Sequence, residues 1–276
     1  MIRSKLMRAA ATVALLAVTA TVATPALAVA GTVRLAGSTT VQPLAQAWAN
    51  AYHTAHPGTS VVVAGGGSGA GFKAAKAGTA IGMSSRAKTA SDGDAVMTPI
   101  ARDALAIVVN PNNPVRNLTP EQVRGIYTGK YTKWSQVGAK KTKKFNPKKA
   151  IVLAGRTGSS GTYEYFKADV LGGTRQSKRT KGYASNGMVR SKVAADKYAV
   201  GYVGMAFINK KVRSVRINNV SPTKANALAG TYPWVRELYF VNYPAFPVTG
   251  EAKSFVDFCL SPAGQAIAGR SFLSLH

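Results

Sequence analysis

The chain has 276 residues, of which 46% are hydrophobic and 17% charged, with a formal net charge of +26 and a single cysteine. That balance excludes a disordered chain as the default, and one cysteine excludes a disulfide framework. The length accommodates two lobes of ordinary domain size.

Arg3, Lys5 and Arg8 precede an apolar run from Ala9 to Ala23, which Pro25 and Ala26-Leu27-Ala28 follow. This is the pattern of a secretory signal with a small-residue cleavage site, so residues 1–28 are expected to be removed. The expected mature chain carries 33 basic and 10 acidic residues, or +23. No later apolar run reaches the roughly 20 residues that a membrane span needs, and Cys259 is far from the cleavage region. A periplasmic or secreted protein with no lipid-anchor cysteine is expected.

Gly31 to Leu35 reads as a short strand that ends in Gly37-Ser38-Thr39-Thr40. Val41, Leu44, Ala45, Trp48 and Ala51 then recur at helical spacing, with Pro43 in the first turn. Ser60 to Ala64 is a second strand. The glycine-rich Gly65 to Gly71, with Ser68 in its middle, leads into a helix-like Phe72 to Ala77. Ile81 to Met83 is a third strand, ending in Ser84-Ser85-Arg86. A fourth instance is Ala150 to Leu153 followed by Gly155-Arg156-Thr157-Gly158-Ser159-Ser160-Gly161-Thr162 and a helix.

Strand ends that feed helix starts leave backbone N–H groups unpaired, and the helix dipole there favours negative charge. Any single turn could be an ordinary Ser/Thr cap. Four such turns, with two arginines and no acid inside any of them, are what an oxyanion site needs: many fixed donors and few competing acceptors. Thr119 is expected to cap a helix that begins at Pro120. Ala104 to Asn110, Val200 to Phe207 and Leu238 to Asn242 read as strands, and Ala252 to Leu260 as an amphipathic helix. Strands alternating with helices over this length predict an α/β fold with mainly parallel pairing.

Other chemistry finds little support. No G-x-S-x-G surrounds Ser38, Ser68 or Ser160, Gly125 to Lys130 lacks P-loop spacing, and Gly65 to Gly71 does not fit G-x-G-x-x-G. His53 and His56 could share a helix face, but no cysteine or acidic cluster joins them, so neither a metal nor a cofactor is expected. Lys140, Lys141, Lys143, Lys144, Lys148 and Lys149 form a basic loop with Phe145 and Pro147, and Arg175, Lys178, Arg179 and Lys181 form a second basic stretch. Such runs are usually solvated surface, and they leave open a cell-surface polyanion binder that recognises no specific nucleic-acid sequence.

The motifs AGSTTVQPL, GGGSGAG, IGMSSR, DALAIVVNPNNPV, LTPEQVRGIYTGKYTKWSQVG, GRTGSSGTYEYF and YPWVRELYFV occur in this order between Gly31 and Leu275. In them the chain resembles the phosphate-binding proteins of bacterial ABC importers. The resemblance implies a two-lobed periplasmic-binding-protein fold of type II kind, hinged between lobes, that performs no catalysis. It implies one inorganic phosphate or similar oxyanion (sulfate, molybdate or tungstate) as ligand, and a membrane permease as partner of a monomer. Position by position it implies ligand contacts from Thr39, Thr40, Ser68, Ser85, Arg86, Arg156, Ser160, Gly161 and Thr162. Family topology places one lobe in residues 29–105 plus 240–276 and the other in 106–239. Ser85 stands where some members carry an aspartate. Asp103, beside the expected crossing, is the candidate acceptor in its stead, with a hinge or capping hydrogen bond as the alternative for that residue.

Overall fold

The computed structural model describes residues 31–276, so the expected signal segment lies outside the described residues. Eleven strands and eight α-helices alternate along them. In the first part these are β1 (Thr32–Gly37), α1 (Gln42–Ala55), β2 (Ser60–Gly66), α2 (Ser68–Lys76), β3 (Ile81–Ser84) and β4 (Val96–Val109). The middle holds β5 (Asn117–Leu118), α3 (Pro120–Thr128), β6 (Val152–Arg156), α4 (Gly161–Tyr165), β7 (Lys181–Tyr183), α5 (Asn186–Ala195) and β8 (Ala199–Gly204). The chain ends with β9 (Arg213–Ser214), β10 (Arg216–Ile217), α6 (Lys224–Leu228), β11 (Val235–Asn242), α7 (Gly250–Leu260) and α8 (Pro262–Ser271).

The fold is mixed α/β and two-lobed. One curled sheet runs β2-β1-β3-β11-β4-β8-β6-β7, with β9 added beside β4. Both flanks are parallel: β1 pairs with β2 and β3, and β6 with β7 and β8. The centre is antiparallel, because β4 carries the chain out of the first lobe and β11 brings it back. β4 is therefore shared. Its residues 96–104 pair with β11, and residues 105–109 pair with β8. The return lies earlier than the 239/240 division expected from sequence, since Val235 already pairs with Ala104.

Each lobe has its own core. Val33, Leu35, Trp48, Tyr52, Met83, Phe240 and Phe255 fill the first, and Tyr127, Trp134, Phe166, Tyr202 and Trp234 the second. At about 25 cal/mol per Å² of apolar surface removed from water, side chains this large dominate the stability of either lobe. Thr119 caps α3 as expected, in a box with Gln122, and Pro120 opens the helix.

Two local readings shift. β4 starts at Val96 rather than Ala104, because Pro99, which a central strand would normally reject, sits opposite a register shift between Leu238 and Tyr239. α2 begins at Ser68 rather than Phe72, so Ser68 is the first helical residue and not part of a free glycine loop.

Candidate oxyanion-binding site

Four helix starts meet where the lobes face each other: α1 and α2 from the first lobe, α4 and α5 from the second. Thr40 Oγ1 and Thr162 Oγ1 lie 3.0 Å apart, and Asn186 Nδ2 donates to Thr40 Oγ1 at 3.0 Å and to Thr39 Oγ1 at 3.3 Å. Across the other side, Gly69 N donates to Ser159 O at 3.0 Å. The first turns of α1, α2 and α5 contain no acid. Their dipoles and free N–H groups therefore act without a local carboxylate to cancel them.

Backbone geometry sets this close approach. Gly67 precedes α2 at φ +93°, and a Cβ there would meet Ser159 O. A Cβ on Gly161 would collide with Ser68 Oγ and come within 3.0 Å of Ser85 Oγ. Glycine is needed at both positions, and at Gly67 the left-handed backbone needs it as well. Ser68 Oγ accepts from Ser85 N at 3.1 Å and lies 3.5 Å from Ser85 Oγ. Ser160 caps α4, its Oγ accepting from Tyr163 N at 3.3 Å.

Arg156 ends β6 and is 4% exposed. Its Nε donates to Tyr183 O at 3.1 Å, and its Nη2 to Thr39 Oγ1 at 3.0 Å and Ala184 O at 2.9 Å. Nη1 is buried without a partner. Below it, Tyr202 Oη accepts from Arg156 N at 3.0 Å, and the Tyr202 ring stacks on Phe166 at 3.9 Å. Burial pulls the guanidinium down to about 10, opposed by Tyr202 and reinforced by Arg236. It is still charged near neutrality, and an anion beside Nη1 would relieve the burial cost.

The structure gathers Thr39, Thr40, Ser68, Ser85, Arg156, Ser160, Gly161 and Thr162 into this cluster, but not the guanidinium of Arg86. Arg86 Nη1 and Nη2 donate to Asp92 at 2.7 and 3.1 Å, its Nε lies 3.4 Å from Glu164, and the group stacks over Phe72. Its charge is thus matched by acids, Asp92 from its own lobe and Glu164 from the other.

A different second arginine borders the site. Arg236 on β11 donates from Nη2 to Thr40 Oγ1 at 3.3 Å and from Nη1 to Ser85 O at 3.2 Å. It is neutralised by Asp103, which receives Nη2 at 2.9 Å and Nε at 3.2 Å, while the other carboxylate oxygen accepts Met205 N at 3.0 Å. Asp103 is wholly buried. Burial raises its carboxyl and Arg236 opposes the rise. The carboxylate is thus committed to the strand crossing, in the manner of the hinge hydrogen bond.

Asn186 and Arg236 escaped the sequence reading. Asn186 had a visible signal, since Lys181-Gly182-Tyr183 followed by Ser185-Asn186-Gly187 repeats the strand, hydroxyl turn and helix pattern. Arg236 had none, because its partners come from strand pairing across 133 positions.

A family model described as a PBP superfamily domain matches residues 22–263. The phosphate-binding protein PstS of Bacillus subtilis is 30% identical over 238 residues, covering 84% of this chain and 76% of its own length. Among solved structures, one described as a phosphate ABC transporter substrate-binding protein with bound phosphate, from Clostridium perfringens, superposes with a TM-score of 0.83. It is 31% identical and covers 89% of this chain and all of its own. An ABC-type phosphate transport receptor from Vibrio cholerae gives a TM-score of 0.71 at 31% identity, covering 88% of this chain and all of its own.

Proposed function

The chain belongs to the PBP superfamily, and within it to the family of the PstS phosphate-binding proteins; on that premise we propose that it binds one inorganic phosphate between its lobes outside the cytoplasm and delivers it to the permease of an ABC importer. It acts as a monomer and catalyses nothing. One observation carries the reading: the buried, unpartnered Nη1 of Arg156, set among the hydroxyls and helix starts of both lobes. A tetrahedral oxyanion supplies the acceptor that this nitrogen lacks, and its other oxygens meet donors from Thr39, Thr40, Ser68, Ser85, Gly161 and Thr162.

Selectivity follows from the donor set. A hydroxyl both donates and accepts, so Ser68 or Ser85 can receive the proton of hydrogen phosphate, whereas fully ionised sulfate has no proton to give and uses the same hydroxyl only as a donor. Asp103 contributes indirectly, by fixing Arg236 and through it Thr40 and Ser85.

Calorimetric titration of the ligand-stripped mature protein with phosphate, sulfate and molybdate tests the proposal. One-to-one phosphate binding with sulfate much weaker is expected. Equal binding of sulfate or molybdate would overturn the substrate, and silence with all three would overturn the site.

A further inference from the structure

The charge of the molecule is segregated. Residues 105–234 hold 24 lysines and arginines against 4 acids, while 31–104 and 235–276 together hold 9 against 6. Within the second lobe the imbalance concentrates along its outer edge, where the stretches 140–149 and 175–181 contribute ten basic side chains and no acid.

This edge is built, not loose. The six lysines of the first stretch are exposed, but Phe145 between them is 2% exposed, packed 6.2 Å from Trp134 and 5.0 Å from Tyr198 by ring centroids. Asn146 Oδ1 accepts Lys148 N at 3.0 Å, and Ser135 N donates to Pro147 O at 2.8 Å. Arg179 Nη2 donates to Ile151 O at 3.4 Å and so ties the second stretch to the segment that follows the first. Directly after the first stretch lies a groove of about 330 Å³ beside the edge strand β7, lined by Ala150 to Leu153 on one side and by Arg179, Lys181 and Lys192 on the other. It starts at Ala150, ahead of β6, whereas the oxyanion cluster lies at the opposite end of that strand, at Arg156.

We propose that this edge is a docking surface for a linear phosphodiester polyanion of the polyol-phosphate kind, separate from the oxyanion site. Ten exposed cations in two stretches that hold no acid, on either side of a groove whose Lys192 is itself paired with Asp196 at 2.8 Å, suit an extended chain of repeating charge. A lipid surface is less suited, because membrane-surface binding adds apolar side chains that insert, and the exposed large hydrophobic residues, Val62, Val96, Met188, Leu228 and Phe246, all lie outside both basic stretches. A single-stranded nucleic acid would call for exposed aromatic platforms; Tyr183 in the groove and Tyr198 behind the loop are both partly covered.

The test compares two variants of the full mature protein with equal loss of charge. Lys143, Lys144, Lys148 and Lys149 are changed to Gln in one, and the exposed Arg116, Lys210, Lys211 and Arg216, on the β5/β10 side of the lobe, in the other. Binding of a defined poly(glycerol phosphate) chain is followed by fluorescence anisotropy across salt, beside flotation with anionic phospholipid vesicles. The expected result is wild-type polymer binding whose log K falls with log salt at about −0.7 per contacted phosphate. Roughly tenfold weakening and a shallower slope are expected in the loop variant, and less than about a twofold change in the control. Phosphate titration of both variants, expected to match wild type, shows that they are folded. Equal weakening in the two variants, displacement of the polymer by millimolar phosphate, or capture by vesicles with none by polymer would each overturn the proposal. Failure of phosphate binding in wild type would instead strike the functional reading and leave this surface standing.

Discussion

The two lobes divide the handling of charge in opposite ways. The first is close to neutral, yet it brings to the cleft the buried ion pair of Asp103 and Arg236, balanced in place. The second carries nearly all the excess positive charge on its surface, yet brings to the cleft one guanidinium with one free nitrogen. The lesson is that net charge and binding charge are separate quantities. A field from exposed lysines is screened over roughly 8 Å at physiological salt, and it governs encounter. A desolvated nitrogen acts over one hydrogen bond, and it governs affinity.

Substitutions at the buried pair, in the cleft and on the surface should separate these roles. The largest effect is expected from Asp103→Ala, which strands Arg236 uncompensated in the interior at a cost of about 3–5 kcal/mol. Urea unfolding monitors it, and an unchanged midpoint would show that the crossing does not depend on the pair. Arg156→Ala comes next. Loss of a charge-assisted contact in a dry site should weaken phosphate binding by about 1.5–3 kcal/mol, with the fold retained. Calorimetry with full affinity in that variant would remove Arg156 from the site.

The pH dependence sharpens the same point. Arg156 in the free protein is held down to about 10 by burial, and a bound anion raises it. Because the bound-state value lies above the free-state value, this contribution is complete below about 10 and declines as pH rises through it. Phosphate affinity measured at increasing pH should therefore fall once that value is passed, while circular dichroism confirms a folded chain. An affinity indifferent to pH there would show that burial does not bring the Arg156 guanidinium into that range.

Smaller still is Glu164→Gln at the pair with Arg86. Glu164 is 41% exposed, so stability should change by no more than about 1 kcal/mol. Smallest at equilibrium is Lys144→Gln, expected to leave phosphate affinity unchanged while lowering the association rate at low salt. A stopped-flow rate without salt dependence would show that the second lobe's field does not reach the cleft.

How much of this was readable from sequence depended on whether a feature is local. The hydroxyl turns at Thr39, Ser68 and Ser160 were legible because a strand, a donor cluster and a helix follow one another within a dozen residues. Arg86 belonged to such a turn, but Asp92, six positions later, takes its guanidinium, an outcome that a turn pattern cannot rank against a ligand contact. Arg236 was illegible for a different reason. It sits in an apolar strand, and its role exists only because antiparallel register sets it opposite Asp103. The parallel flanks followed from alternation, whereas the antiparallel centre follows from where the chain crosses, which alternation does not encode.

The shared strand β4 also sets a timetable. The second lobe is one unbroken segment between the strand crossings, but the first lobe's sheet is incomplete until β11 inserts between β3 and β4, after all of that segment has emerged. The second lobe can thus close most of its core, all but Leu273, from contacts already available, while the first must wait for a loop of more than a hundred residues to close, which is slow by loop-closure entropy. Refolding should proceed in that order, with amides of β6 and β8 protected before those of β1 and β3. The cleft itself forms last, so nothing can be carried until the whole chain has been made.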